Sequence, residues 1–109
     1  MSQDSNAGNE RIIVCIDQDI QDLVPGFLER RQKDIETISN ALTSGDYDTI
    51  RTLGHSMKGS GGGFGFDTIT DIGRSIEVAA NNRNSEEIQK QIEELNFYLD
   101  NIEIEYKSC

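Results

Sequence analysis

Residues 46–66 read DYDTIRTLGHSMKGSGGGFGF, and this stretch predicts a helix with the only histidine of the chain on its outer side. An α-helix advances about 100° per residue, so the direction of each side chain follows from its position. With Tyr47 at zero, one apolar stripe falls between about 240° and 340°: Ile50, Leu53, Gly54 and Met57. His55 falls near about 80°, outside that stripe. We therefore expect its imidazole to face solvent.

Two cations and two glycines are expected around His55. Arg51 lies about one turn before it and Lys58 about one turn after it, while Gly59 and Gly62 follow on the same helix face. Glycine inside a helix lowers helix stability by up to about 1 kcal/mol relative to alanine. That loss is understandable if the backbone of another protein must approach this surface closely. A lone surface histidine usually has no role. Here the neighbouring cations could stabilise an anionic group on a neutral, nucleophilic ring.

The glycine cluster at residues 61–63 does not predict a nucleotide site. A phosphate-binding P-loop requires a lysine after its glycines, whereas Lys58 precedes them. A dinucleotide-binding motif requires a preceding strand and a G-x-G-x-x-G sequence, and this stretch has neither. The glycines are typical of a helix end followed by a flexible turn.

The remaining pattern predicts an all-α protein, an antiparallel up-down-up-down four-helix bundle with a short N-terminal helix or extended segment. The predicted helices cover residues 25–43, 46–61, 67–80 and 85–106, with Asp46, Asp67 and Asn84 or Ser85 as caps. Residues 12–16 form a short apolar run for which we expect no strand partner. Residues 1–11 are predicted to be a disordered lead, and residues 12–109 one bundle domain. Glu29, Asp34 and Glu36 are expected on a solvated helix face.

The composition restricts the possible partners. The 109 residues carry a formal net charge of −10, which disfavours nucleic acid. The sequence contains no apolar run that would predict a signal peptide or a membrane span, so we expect a cytoplasmic chain that does not bind membranes. In that compartment Cys15 and Cys109 would be reduced rather than disulfide-bonded. No cluster of metal-ligand residues at suitable spacing predicts a metal site or a cofactor.

The segment around the histidine resembles the histidine-containing phosphotransfer (HPt) domain family. The resemblance rests on His55-Ser56-Met57-Lys58-Gly59-Ser60, on Phe64-Gly65-Phe66, and on the helical run Ile69, Ile72, Gly73, Ile76 and Glu77. It spans about residues 17–106. It implies that His55 accepts a phosphoryl group from the aspartate of a response-regulator receiver domain and passes it to another receiver. It also implies that Lys58 neighbours the phosphate and that Gly59 keeps the docking surface open. The three consecutive glycines at residues 61–63 depart from the family pattern.

Together these observations predict a phosphorelay intermediate of two-component signal transduction. His55 is the expected phosphoacceptor, Lys58 and Arg51 the phosphate neighbours, and Ser56, Gly59 and Gly62 the docking surface. Without an ATP-binding motif the chain is expected to be a phosphoprotein and not a kinase, with Mg²⁺ held by the partner receiver. A monomer suffices for this role.

Two alternatives remain open at this point. The chain could be the phosphoacceptor domain of a chemotaxis-type histidine kinase, in which the phosphoryl group comes from a catalytic domain that binds ATP. It could also be an adaptor that binds receivers without being phosphorylated. Substitution of His55 by Gln separates the adaptor from the relay.

Overall fold

The computed structural model describes residues 11–107, and its principal elements are four α-helices. These are α1 (Val24–Ser44), α2 (Tyr47–Gly61), α3 (Asp67–Asn81) and α4 (Ser85–Asn101). The expectation of a mostly helical protein with four helices is confirmed. The first three helices begin and end within about one residue of their predicted limits, a difference within the usual uncertainty of helix ends. Residues 1–10, most of the predicted disordered lead, lie outside the described residues.

Capping residues account for where the helices begin and end. The side chain of Asp46 accepts a hydrogen bond from the Thr49 N–H (3.2 Å), and Asn84 accepts one from the Glu87 N–H (3.1 Å). Helix α1 ends at Gly45, whose φ of 73° is the left-handed conformation that glycine adopts without strain. Asp67 was expected to cap α3, but Phe66 occupies that position and Asp67 lies in the first turn.

The extended segment predicted near the N-terminus is present, but two predictions were wrong: that it lacks a strand partner, and that the last helix reaches residue 106. Helix α4 stops at Asn101 instead of continuing to residue 106, and Ile102–Lys107 forms a strand, β2. It pairs in parallel with β1 (Ile12–Asp17), so the N-terminal apolar run does have a strand partner. The sequence of β2 alternates apolar residues with glutamates, a period of two that favours a strand. The apolar positions of β2 also lie close to the helical spacing of α4. The sequence therefore predicted a helix that continues to residue 106.

A short 3-10 helix, Gln18–Leu23, connects β1 to α1. On β1, Cys15 is disulfide-bonded, contrary to the expectation of a reduced thiol. In residues 11–107 no helix is both long and apolar enough to cross a membrane.

The closest helix packing is between α2 and α3, and glycines make it possible. A Cβ atom added to Gly73 would lie 2.5 Å from the backbone nitrogen of Lys58 and 2.7 Å from the carbonyl oxygen of Gly54. A Cβ on Gly54 would in turn lie 2.8 Å from the backbone nitrogen of Glu77. Any larger residue at these points would push the helices apart. The two backbones are therefore in contact where α2 carries His55.

One ion pair of α1 is buried, and its arginine also reaches α2. Asp34 was expected on a solvated face, but both Arg31 and Asp34 are buried. The Arg31 Nε lies 2.9 Å from Asp34 Oδ2, and its Nη1 donates a hydrogen bond to Ser60 Oγ on α2 (3.1 Å). Burial raises the pKa of Asp34, opposed by the adjacent Arg31 charge. The placement of Asp34 on a solvated face was thus wrong.

Candidate functional site

His55 stands on the exposed side of α2. Its side chain is 69% exposed, whereas Gly54 and Met57, its neighbours on the inner side of the helix, are buried. This agrees with the position that the helical spacing predicts. A ring in this position can be reached by a second protein.

Glu77 on α3 holds both basic groups of the site. Its Oε2 lies 3.1 Å from Nδ1 of His55, and its Oε1 lies 2.8 Å from Nζ of Lys58. The hydrogen bond from Lys58 lowers the pKa of the Glu77 carboxyl, and the bond to His55 adds to the effect. Glu77 is therefore an ionised carboxylate that joins the two side chains.

This contact assigns the proton on the imidazole. An ionised carboxylate can only accept hydrogen bonds, so Nδ1 of His55 must carry the hydrogen that Glu77 accepts. In the neutral ring the lone pair available for reaction is then on Nε2. Glu77 thus orients the ring with Nε2 as its nucleophilic atom.

Sequence reasoning did not assign a role to Glu77. It is 22 residues from His55 and on a different helix, so no spacing rule within one helix connects the two. Two signals were available: Glu77 belongs to the run on which the family resemblance rests, and it lies one turn after Gly73 on α3. A side chain one turn beyond a close helix crossing is well placed to reach the other helix.

The two cations predicted beside His55 have different surroundings. Lys58 is drawn to the carboxylate that also binds the imidazole, as described above. Arg51 instead pairs with Asp48 on its own helix, with Nη2 at 3.4 Å from Oδ1. The structure brings Lys58 and His55 together through a shared partner, and it shows no such link between His55 and Arg51.

The residues expected at the docking surface also occupy distinct places. Gly59 faces open space, because a Cβ added there would meet no atom within 4 Å. Ser56 is exposed, and its carbonyl accepts a hydrogen bond from Ser60 Oγ (2.9 Å). Gly62 lies beyond the end of α2, in a short 3-10 segment, Gly62–Phe64. The fold itself therefore does not require a glycine at position 59.

A groove of about 400 Å³ runs beside the site between α1 and α2. Phe27 and Phe64, whose rings stack with centroids 4.3 Å apart, contribute to its lining together with Ser56 and the 59% exposed Leu23. The lining also includes Asp22, Arg30 and Arg31, so a groove of mixed apolar and charged character lies next to the helix that carries the exposed histidine.

The metal-ligand side chains of residues 11–107 form no group of three or more that could hold an ion. The titratable groups at the site are the imidazole, the Lys58 ammonium and the Glu77 carboxylate. Such a set can hold and orient a nucleophilic ring nitrogen and place positive charge near it.

Comparison with known families identifies the family to which the chain belongs. A family model described as the Hpt domain matches residues 22–104, which covers all four helices. No curated protein and no solved structure matches the chain. The matched region contains the exposed His55 and its partner Glu77. The chain therefore belongs to the Hpt domain family, the histidine phosphotransfer modules of two-component signalling phosphorelays.

Proposed function

We propose that this protein is a phosphorelay intermediate that accepts a phosphoryl group on Nε2 of His55 from a receiver-domain aspartate and passes it to another receiver. The observation that carries the proposal is the arrangement of the ring: it is 69% exposed, while its Nδ1 is held 3.1 Å from the Glu77 carboxylate. Nε2 is then the free nucleophile on the exposed ring.

In the proposed reaction the Nε2 lone pair attacks phosphorus of the aspartyl phosphate. A P–N bond forms while the P–O bond to the aspartate breaks, and the aspartate leaves as a carboxylate. The ring gains positive charge as the bond forms, and the Glu77 carboxylate on Nδ1–H stabilises that charge. Return of the phosphoryl group to a second receiver reverses these steps. Mg²⁺ bound to the receiver would supply charge neutralisation at the phosphoryl oxygens.

Lys58 and Arg51 are proposed to neighbour the phosphoryl group. Lys58 is the better supported of the two, because its ammonium already lies 2.8 Å from the carboxylate that binds the ring. Once an anionic phosphoryl group is attached to Nε2, that ammonium has a second acceptor close by. Arg51 would have to leave its 3.4 Å contact with Asp48, a weak exposed pair, to serve in the same way.

We propose that receivers dock over Ser56, Gly59 and Gly62 and extend into the groove lined by Phe27 and Phe64. The empty space around Gly59 supports this, because a glycine that costs helix stability and fills no internal contact is best explained by an external one. A hybrid or chemotaxis-type histidine kinase would supply the phosphoryl group to the pathway.

The wider description of the protein is proposed on the same basis. The chain acts as a phosphotransfer protein without its own ATP site, in the cytoplasm, as a monomer and without a bound cofactor. Nucleic acid and membranes are not among its proposed partners. The short connections between the four helices support the antiparallel up-down-up-down order predicted for them. The assignment of residues 12–109 to one bundle domain also stays a prediction.

The test is transfer from a panel of purified receivers carrying labelled phosphoaspartate. The wild-type chain should take label from at least one of them and hold it on the imidazole, identified by ³¹P and ¹⁵N NMR as attached to Nε2. The variant His55→Gln should remain folded and take no label. If His55→Gln still supports the same signalling output in cells, the protein is an adaptor and the relay proposal is wrong.

A further inference from the structure

We propose that Thr70 is a positioning residue for phosphoryl transfer, acting through the backbone of Lys58 at the end of α2. The inference rests on the proposed function of His55 and adds a residue to it. Thr70 lies in the second turn of α3 and touches neither the imidazole nor the carboxylate described above. Its hydroxyl connects α3 to the last turn of the histidine-bearing helix.

The hydroxyl of Thr70 makes two hydrogen bonds to α2 and the residue after it. It accepts one from the Gly62 N–H (2.7 Å) and donates one to the Lys58 carbonyl (3.1 Å). These two backbone groups are four residues apart, the pair that an α-helix joins to each other. The Thr70 hydroxyl therefore links the Lys58 carbonyl and the Gly62 N–H at the end of α2; this link is called the Thr70 bridge.

The end of α2 needs such a bridge. Glycines occupy positions 59, 61, 62 and 63, so this part of the chain has almost no side chains to pack and a weak tendency to stay helical. The last carbonyls of a helix also lack partners within it. The Thr70 hydroxyl gives the Lys58 carbonyl a partner and so offsets both the weak helix propensity of the glycines and the lack of partners at the helix end. It does so at Lys58, whose side chain belongs to the site.

Gly61 is the residue that lets Thr70 come so close. A Cβ at position 61 would lie 2.6 Å from Thr70 Oγ1 and 2.7 Å from its backbone nitrogen. These distances are too short for any side chain. The hydrogen bonds of Thr70 therefore explain why position 61, one of the three that depart from the family pattern, is a glycine. They do not explain Gly63, where an added Cβ would meet nothing within 4 Å.

Lys58 is consequently held at both ends by α3. Thr70 binds its backbone carbonyl, and Glu77 binds its ammonium at 2.8 Å. Without the hydroxyl, the last turn of α2 can fray and the ammonium loses its defined position beside the ring. Transfer depends steeply on such positions, since a displacement of about 1 Å can cost a factor of about 100. Loss of the hydroxyl should therefore lower the rate of phosphoryl transfer more than it weakens binding of the receiver.

The experiment compares Thr70→Val, which keeps the shape and removes both bonds, with Thr70→Ser, which keeps the hydroxyl. Thr37→Val is the matched control, because the Thr37 hydroxyl bonds only to the Lys33 carbonyl of its own exposed helix face. Single-turnover transfer from a phosphorylated receiver is measured over a range of receiver concentrations. Circular dichroism sets a temperature at which every variant is folded.

Thr70→Val should lower the transfer rate at saturating receiver by about tenfold with an unchanged half-saturating concentration. Thr70→Ser and Thr37→Val should stay within about twofold of wild type. Amide hydrogen exchange at Gly62 should accelerate in Thr70→Val alone, a readout that needs no phosphorylation.

An unchanged rate in Thr70→Val, a change confined to half-saturation, or a loss not rescued by serine would overturn the inference. Failure of the wild-type chain to accept label would instead refute the proposed function, and the Gly62 exchange rate would still report whether the bridge exists.

Discussion

Gly73→Ala should destabilise the protein and separate His55 from the Glu77 carboxylate. The added methyl group would lie 2.5 Å from the Lys58 nitrogen and 2.7 Å from the Gly54 carbonyl oxygen, so α2 and α3 must move apart by about 1 Å to restore ordinary contacts. Overpacking of this kind costs up to about 3 kcal/mol. The greater helix propensity of alanine returns about 1 kcal/mol. The net loss is therefore up to about 2 kcal/mol.

That loss corresponds to a fall in the melting temperature of up to about 10 °C for a domain of this size, measurable by circular dichroism. The same displacement would lengthen the 3.1 Å contact between His55 and Glu77 to about 4 Å, beyond hydrogen-bond range. The imidazole ¹⁵N shifts should then show a mixture of tautomers instead of the Nδ1–H form.

Gly59→Ala is the matched control, since the same substitution on α2 meets open space. It should raise the unfolding free energy by up to about 1 kcal/mol and leave the imidazole spectrum unchanged. The reasoning fails if Gly73→Ala is as stable as wild type, or if both variants lose stability equally.

Four further predictions concern single side chains. The lowered pKa of Glu77 means that its ion pairs stabilise the fold fully above the unfolded value of about 4.5 and lose this effect as the pH falls through the lower folded value. Glu77→Gln should therefore be less stable than wild type near pH 6, and urea denaturation should show this difference shrinking as the pH falls below about 4.5. Lys58→Ala should slow transfer or shorten the lifetime of the phosphorylated form without abolishing labelling, and complete loss of labelling would contradict its role as a neighbour. Leu95→Ala, at a fully buried position, should cost about 2–5 kcal/mol by the same urea method, and a negligible change would mean that the core is assigned wrongly. Asp34→Ala should cost about 3–5 kcal/mol because it leaves Arg31 buried without its carboxylate, and a loss below about 1 kcal/mol would show that the pair is solvated.

Local features of the chain predicted much of this structure. Asp46 and Asn84 act at the helix starts where their side chains suit a cap, and Gly45 ends α1 in the conformation that glycine favours. These effects operate over a few residues, so they can be recognised before any tertiary contact is known. The exposure of His55 follows in the same way from its angle to the apolar stripe.

Long-range packing decided the rest. The pairing of β1 with β2 joins opposite ends of the chain, and neither run by itself shows that the other will meet it. At residues 102–106 the alternation of a strand and the spacing of a helix overlap, so only the pairing with β1 selects the strand. The burial of Asp34 likewise depends on what α1 packs against.

The sequence by itself determined that there are four helices, where three of them begin and end, and that one histidine faces outward among small and basic residues. Only the tertiary structure decided that Glu77 orients this histidine and binds Lys58. The physical reason is that hydrogen bonds of about 3 Å between two helices depend on how closely their axes approach. That approach is set by Gly54 and Gly73, which come together only when the bundle is folded.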